Sequence, residues 1–158
     1  MALAVGDAAP DFLLEGIDGA TGRVGTWTRS EFLGAPLVVV FYPGDNSAVC
    51  TAQLAEYTRG IGDVAAAGAD VVAISPQSVE SHQRFAAVNG GFAFPMLCDE
   101  GKAVARSWGN LGLLDLYRRS TFVLDGDGIV RYSHRYIGPG MAYKPLADIV
   151  AAVLTAER

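Results

Sequence analysis

The sequence P-L-V-V-V-F-Y-P-G-D-N-S-A-V-C-T-A-Q, at residues 36–53, predicts a buried strand, a turn and the start of a helix. Its apolar run at residues 37–42 is typical of a strand that is covered on both faces of a sheet. Pro43 and Gly44 end that run, because proline cannot extend a β-ladder and glycine favours a turn. The next three residues are Asp, Asn and Ser, which all cap helix N-termini. We therefore expect a helix to begin at about Ala48, directly after a buried strand.

Cys50 lies three residues after Ser47, in the first turn of this predicted helix. A thiol in that place faces unpaired backbone N–H groups and the positive end of the helix dipole, and both favour a thiolate over a thiol. A cysteine in a globular protein is, however, more often a small buried hydrophobe than a nucleophile. Position alone therefore makes Cys50 a candidate nucleophile and leaves a structural role open.

Outward from this stretch, hydrophobic periodicity predicts alternating strands and helices. The predicted strands are residues 23–27, 37–42, 71–75, 94–98, 120–124 and 129–134. The predicted helices are a single turn after Ser30, residues 48 to about 67, residues 79–88 after a Ser78 cap, residues 101–108, and a last helix from about Tyr143 with Pro145 in its first turn. The remaining N-terminal part is expected to be an extended arm with turns at residues 16–22, and residues 111–117 an irregular loop.

This order predicts an α/β fold with a mixed sheet flanked by helices. The strands at 37–42 and 71–75 are expected to be parallel, joined by a right-handed crossover. The strand at 120–124 is expected to run antiparallel to the first, so Arg119, just before it, would share a sheet edge with Cys50. Arg118 is the competing cation, but alternation along a strand places neighbours on opposite faces.

Composition predicts one globular domain over residues 1–158, with 51% hydrophobic and 18% charged residues. A net charge of −5 argues against a nucleic-acid partner, and no apolar run has membrane-spanning length. The first residues lack the features of a signal peptide, so the two cysteines fit a reducing compartment, with the cytoplasm as the expected location. Two histidines and two scattered cysteines match no metal or haem spacing, and no glycine motif for a cofactor is present.

Five ordered segments carry a family resemblance. Pro43, Ser47 and Cys50 match the pattern of proline, three residues, Thr or Ser, two residues and a reactive cysteine. The other segments are G-D-A-A-P-D-F at 6–12, V-V-A-I-S-P-Q-S-V-E-S-H-Q-R-F at 71–85, F-P-M-L-C-D-E at 94–100 and R-S-T-F-V-L-D-G-D-G at 119–128. Together they resemble the peroxiredoxin family. The segment that contains Pro43, Ser47 and Cys50 is closest to the peroxiredoxin Q (bacterioferritin comigratory protein) group.

The resemblance implies a thioredoxin-like fold and a thiol-dependent peroxidase of antioxidant type. Cys50 would attack hydrogen peroxide or an organic hydroperoxide and become a sulfenic acid. Arg119 would stabilise the developing charge, Ser47 would cap the helix, contact the peroxide, or do both, and Pro43 would shield the thiolate. The implied partners are a hydroperoxide and a thiol reductant, either thioredoxin-like or of low molecular weight, with no cofactor and a monomer or homodimer as the assembly.

The sequence also departs from the family pattern. Many relatives carry a resolving cysteine five residues after the reactive one, but this chain has Ala55 at that position. Ala48 stands where a proline is common in the family, and Gln53 stands where a glutamate is usual. Cys98, at the end of the strand at 94–98, is the only other thiol that could resolve Cys50. Its burial in a strand would slow its attack, so we expect a one-cysteine mechanism with an external thiol.

Two other functions fit parts of the sequence. A thioredoxin-fold thiol–disulfide oxidoreductase would normally carry C-x-x-C, but the residue three after Cys50 is Gln53. A non-catalytic redox-sensing or chaperone-like module would not need Pro43, Ser47, Cys50 and Arg119 together. Of the remaining side chains, His82 is expected to be solvated, and Tyr42 and Trp108 to lie in the core or a pocket wall.

Overall fold

The computed structural model describes residues 3–136 and 143–156, which form one seven-stranded mixed sheet with helices on both faces. The strands are β1 Leu13–Asp18, β2 Val24–Thr28, β3 Leu37–Phe41, β4 Asp70–Ser75, β5 Pro95–Cys98, β6 Ser120–Leu124 and β7 Val130–Arg135. The helices are α1 Ala48–Arg59, α2 Ile61–Ala66, α3 Val79–Val88, α4 Ala103–Ser107 and α5 Leu146–Ala156, with 3-10 turns at Ser30–Phe32 and Leu113–Asp115. In these ranges, no helix is both long and apolar enough to cross a membrane.

Strand β3 lies near the middle of the sheet, between β4 and β6, in the order β2-β1-β5-β4-β3-β6-β7. It pairs in parallel with β4 and antiparallel with β6, as the sequence predicts, and all five of its residues are buried. Phe41, its last residue, is opposite Ser120, the first residue of β6. Arg119 therefore lies at the same edge of the sheet as the loop that follows β3.

The side chains of β3 alternate between two apolar cores, one on each face of the sheet. Val38 and Val40 belong to the core beneath α1, α3 and α5, which also contains Tyr42 and Cys50. The opposite face is covered by α4 and by Trp108, which is fully buried. Tyr42 is also fully buried, so both aromatic side chains lie in the core, as expected.

The N-terminal arm differs from the prediction, because residues 13–18 form β1 and the predicted turn region begins inside this strand. β1 pairs with β2 on one side and with β5 on the other. Gly16 lies directly against the backbone carbonyl of Met96, closer than any side chain would allow. Glycine is needed here for close strand approach rather than for a turn.

Gly16→Ala is expected to lower the free energy of unfolding by about 2–3 kcal/mol, because the added methyl overlaps backbone atoms that cannot rotate away. Urea denaturation followed by far-ultraviolet circular dichroism measures the change. Gly62→Ala is the matched control, since Gly62 is helical and nothing lies within 4 Å of an added Cβ. That control should be neutral or stabilising; equal losses in both variants would contradict the close-approach explanation.

Three helix boundaries also differ from the sequence prediction. The helix that begins at Ala48 breaks at Gly60, so α1 and α2 are separate elements, and a Cβ at this glycine would overlap the Leu146 side chain. α5 begins at Leu146, after Pro145, because the Leu146 N–H donates to Glu56 Oε2 at 2.7 Å. Ser30 lies inside its 3-10 turn, and Arg29 occupies the N-cap position.

Candidate active site

The loop between β3 and α1 places Cys50 in the first turn of a helix. Ser47 is the N-cap residue in an extended conformation, and its Oγ accepts a hydrogen bond from the Cys50 N–H at 3.4 Å. The Thr51 N–H and hydroxyl both donate to the Ser47 carbonyl, at 2.9 and 2.8 Å. The helix therefore begins where the sequence predicts, and Ser47 performs the predicted capping.

Arg119 reaches from the neighbouring strand to the Cys50 sulfur. Its Nη2 donates to Cys50 Sγ at 3.2 Å, and its Nη1 donates to Gln53 Oε1 at 2.7 Å. Cys50 is fully buried, and only 2% of the surface of Arg119 is exposed. A thiol and a guanidinium that are 69 residues apart in the chain are thus brought into direct contact away from water.

The electrostatics of this contact favour negative charge on the sulfur. A buried cation interacts more strongly with a nearby anion than an exposed one, because little water screens the charges. Gln53, which accepts from Nη1 of the same guanidinium, is neutral and leaves the charge of Arg119 unchanged. The positive end of the α1 dipole acts in the same direction. The site thus places a buried guanidinium and a helix N-terminus beside one sulfur atom.

Arg118, the alternative cation, lies elsewhere. Its Nη1 donates to the Tyr136 carbonyl at 3.2 Å, and its guanidinium lies beside Gly112. The alternation of side chains along the chain therefore separates the two arginines, as the sequence indicates. Pro43 is half-buried in the loop between β3 and α1, and its predicted shielding of the sulfur stays a prediction.

Cys98 is at the end of β5, in the position paired with Ser75 of β4. It is half-buried, and both cysteines are free thiols. Burial raises the pKa of the Cys98 thiol to about 12, and the negative charges of Glu100, Glu15 and other carboxylates contribute in the same direction. At neutral pH Cys98 is therefore a protonated, weak nucleophile.

His82 is fully buried, so the expectation that it is solvated is wrong. Its Nδ1 lies 2.7 Å from Asp45 Oδ2, and its Nε2 lies 3.0 Å from the Leu97 carbonyl oxygen. The inward face of α3 carries Val79, His82 and Phe85, which are spaced by three residues. That spacing is the signal in the sequence that could have indicated burial of His82 on the apolar side of the helix.

Two further polar residues near the thiol were not predicted in these roles. Gln53 appears in the sequence only as a departure from the family pattern, whereas in the structure it is buried and holds Arg119. Asp45 appears only as a helix-cap candidate. In the structure, its buried carboxylate accepts a hydrogen bond from the Tyr42 hydroxyl at 2.8 Å. Within residues 3–136 and 143–156, no three His, Cys, Asp or Glu side chains are grouped as a metal site.

Comparisons with known proteins identify the family of this chain. A family model described as the AhpC/TSA family matches residues 5–133. The chloroplastic peroxiredoxin Q of Oryza sativa subsp. japonica is 37% identical over 129 residues, which cover 80% of this chain. The same alignment covers only 57% of the rice protein, so the chain spans little more than half of that relative's length.

Comparison with solved structures identifies the fold. The peroxidoxin BcpB of Mycobacterium tuberculosis superimposes with a TM-score of 0.81 at 30% identity, over 99% of both chains. The AhpC of Mycobacterium tuberculosis superimposes with a TM-score of 0.87 over 97% of this chain and 92% of that one; its 22% identity makes it evidence for the fold alone. The chain therefore belongs to the AhpC/TSA family of peroxiredoxins and has their thioredoxin-like fold.

Proposed function

We propose that this protein is a thiol-dependent peroxidase that reduces hydrogen peroxide or organic hydroperoxides through a sulfenic acid on Cys50. The observation that carries the proposal is the 3.2 Å contact between Arg119 Nη2 and Cys50 Sγ at the start of α1. Membership of the AhpC/TSA family supports the same activity. The location we propose is the cytoplasm, which the two free thiols support.

In the proposed first step, the Cys50 thiolate attacks the terminal oxygen of the hydroperoxide. An S–O bond forms as the O–O bond breaks, the sulfur is oxidised to a sulfenic acid, and the departing oxygen takes a proton to become water or an alcohol. Arg119 would stabilise the charge that passes from sulfur to the departing oxygen. Ser47 Oγ accepts the Cys50 N–H and keeps its own hydroxyl proton to donate to the peroxide.

The second step needs two thiols. The first condenses with the sulfenic acid to give a mixed disulfide and water, and the second releases the Cys50 thiol and a new disulfide. We propose that both come from an external donor, either a thioredoxin-like protein or a low-molecular-weight thiol. The raised pKa of Cys98 supports this, because a protonated thiol is a poor attacking group. No cofactor enters either step, and the assembly is a monomer or a homodimer.

The test of the proposed function is the intact mass of the reduced protein after one equivalent of hydrogen peroxide. We expect rapid loss of one free thiol and the gain of one oxygen atom, mapped to Cys50 by trapping with dimedone. Formation of an internal disulfide would show that Cys98 resolves Cys50 instead. Slow loss of the thiol, at the rate of free cysteine, would contradict the peroxidase and favour the non-catalytic redox-sensing or chaperone-like module. A protein that is oxidised by disulfides but not by peroxide would be the thiol–disulfide oxidoreductase.

Cys98→Ser is expected to leave peroxide turnover unchanged with either class of external thiol, because Cys98 is protonated at neutral pH and held at a strand end. Steady-state consumption of peroxide, with glutathione and with thioredoxin as donors, measures the effect. In the wild type, alkylation of Cys98 by iodoacetamide should become faster as the pH rises toward the pKa of about 12. A variant that reduces peroxide only once, while the wild type turns over, would make Cys98 the resolving cysteine.

A further inference from the structure

A buried polar network lies behind the loop that carries Ser47. Its centre is Asp45, whose side chain is fully buried. Oδ1 accepts the Tyr42 hydroxyl at 2.8 Å, and Oδ2 accepts the Ser81 hydroxyl at 2.7 Å and faces His82 Nδ1 at 2.7 Å. The Asp45 N–H in turn donates to Gln77 Oε1 at 3.2 Å. Tyr42 and three side chains from outside this loop therefore fix a single loop residue.

The imidazole of His82 continues the network to a second element. Its Nε2 faces the Leu97 carbonyl at 3.0 Å, and because a carbonyl only accepts hydrogen bonds, this nitrogen carries a proton. The network thus links the loop after β3 to α3 and to β5. A buried pair of this kind costs free energy to desolvate and strongly destabilises its surroundings when one partner is removed.

The loop also contains a residue in a less common backbone conformation. Asn46, directly after Asp45, has φ = 64°, in the left-handed region that residues other than glycine seldom adopt, although asparagine does so more often than most. The next residue is the N-cap of α1, and Cys50 follows three residues later. The capping contact itself is long, at 3.4 Å from Cys50 N to Ser47 Oγ. The cap alone is a weak hydrogen bond, whereas the Asp45 contacts are short.

We propose that Asp45 and His82 are positioning residues for Cys50. The pair holds residues 43–47, and with them the first turn of α1, so that the sulfur stays buried against Arg119. This role rests on the proposed function of Cys50 and assigns the pair no direct contact with peroxide. It explains why a polar pair is kept inside an apolar core that also contains Tyr42 and Phe85.

Asp45→Asn tests the role through two rates that should move in opposite directions. The second-order rate constant of the reduced protein with peroxide should fall by about tenfold, since misplacing a reacting group by a fraction of an ångström has effects of this size. Alkylation of Cys50 by N-ethylmaleimide, followed by peptide mass spectrometry, should become roughly fivefold faster because the first turn of α1 opens more often. His82→Phe should show the same two changes.

The matched control is Asp99→Asn. Asp99 is equally a buried carboxylate that accepts a tyrosine hydroxyl, from Tyr117 at 3.0 Å, but it caps α4 on the other face of the sheet. This control is expected to lower the melting temperature and to leave both Cys50 rates within twofold of the wild type. Should Asp45→Asn not fold, Ser81→Ala removes one donor from Asp45 Oδ2, and a twofold to fivefold loss of the peroxide rate constant is expected, on the order of one hydrogen bond.

The outcomes separate this inference from the proposed function. A wild type that does not react rapidly with peroxide rejects the peroxidase itself. If the wild type reacts rapidly and the folded Asp45 and His82 variants retain both rates, the positioning role is wrong. It is also wrong if Asp99→Asn loses as much peroxide reactivity as Asp45→Asn, because the effect would then be one of general stability.

Discussion

Cys50→Ser is expected to reduce peroxide consumption to the background level. The serine hydroxyl cannot supply an anionic nucleophile at neutral pH, and oxygen does not form the sulfenic acid on which the cycle depends. The fold should be retained, because the side chains are similar in size and the Ser47 cap uses the backbone N–H of residue 50, which both residues have. Peroxide consumption with excess dithiothreitol measures the loss, and the melting temperature verifies the fold.

Cys98→Ser is the natural companion, because it removes the other thiol and should remain active. Consumption near the wild-type rate in Cys50→Ser would place the reactive thiol at Cys98, the second of the two cysteines in the sequence. The half-buried position and raised pKa of Cys98 argue for the opposite result.

Arg119→Ala is expected to lower the second-order rate constant for peroxide by roughly 100-fold, or about 3 kcal/mol, as when one donor to a developing negative charge is removed. The variant also leaves Gln53 Oε1 without the donor that lies 2.7 Å away. Arg119→Lys should be intermediate, because an ammonium keeps the charge but cannot donate to Cys50 and Gln53 with the geometry of a planar fork. Rapid mixing of the reduced protein with peroxide gives the rate constants.

Arg118→Ala is the matched control for Arg119, since it removes the neighbouring guanidinium, which donates to the Tyr136 carbonyl and not to the thiol. It should retain a rate constant close to that of the wild type. If instead Arg118→Ala lost the activity and Arg119→Ala kept it, Arg118 would be the cation that acts in the reaction, and the assignment of this role to Arg119 would be wrong.

The parts of the site that the sequence predicts are those set by local signals. An apolar run, a Pro-Gly stop and a serine cap specify β3, its loop and the start of α1 within a dozen residues. The turn between β6 and β7 is equally local, and it makes these two strands antiparallel. Once β6 pairs antiparallel with β3, Arg119 lies at the same edge as the loop that leads to Cys50, because antiparallel strands bring the start of one to the end of the other.

The parts that the sequence does not predict depend on distant partners. β1 contains Gly16 and lacks a regular alternation of apolar and polar residues, and one of its two neighbours, β5, lies about 80 residues further along the chain. The start of α5 is set by Glu56, whose carboxylate caps a helix 90 residues away. The sequence analysis predicts a solvated His82 because the residues beside it in the sequence are polar. The three-residue spacing of the apolar face, which includes His82, is a weaker signal. In each case tertiary contacts override a weak local preference.

The break in the helix at Gly60 has a consequence for how α1 can open. Three hydrogen bonds join the C-terminal half of α1 to residues 143–146. The Tyr143 hydroxyl and the Leu146 N–H donate to the Glu56 carboxylate, and the Tyr57 hydroxyl donates to the Lys144 carbonyl. The thiol is at the other end of the helix, where Ser47 provides only a long capping bond. We therefore expect fraying of α1 to be one-sided: once the Asp45 contacts open, amide protons near Cys50 should exchange with solvent before those near Tyr57. In the proposed cycle, a large reductant would then reach the oxidised sulfur while the rest of the helix stays docked.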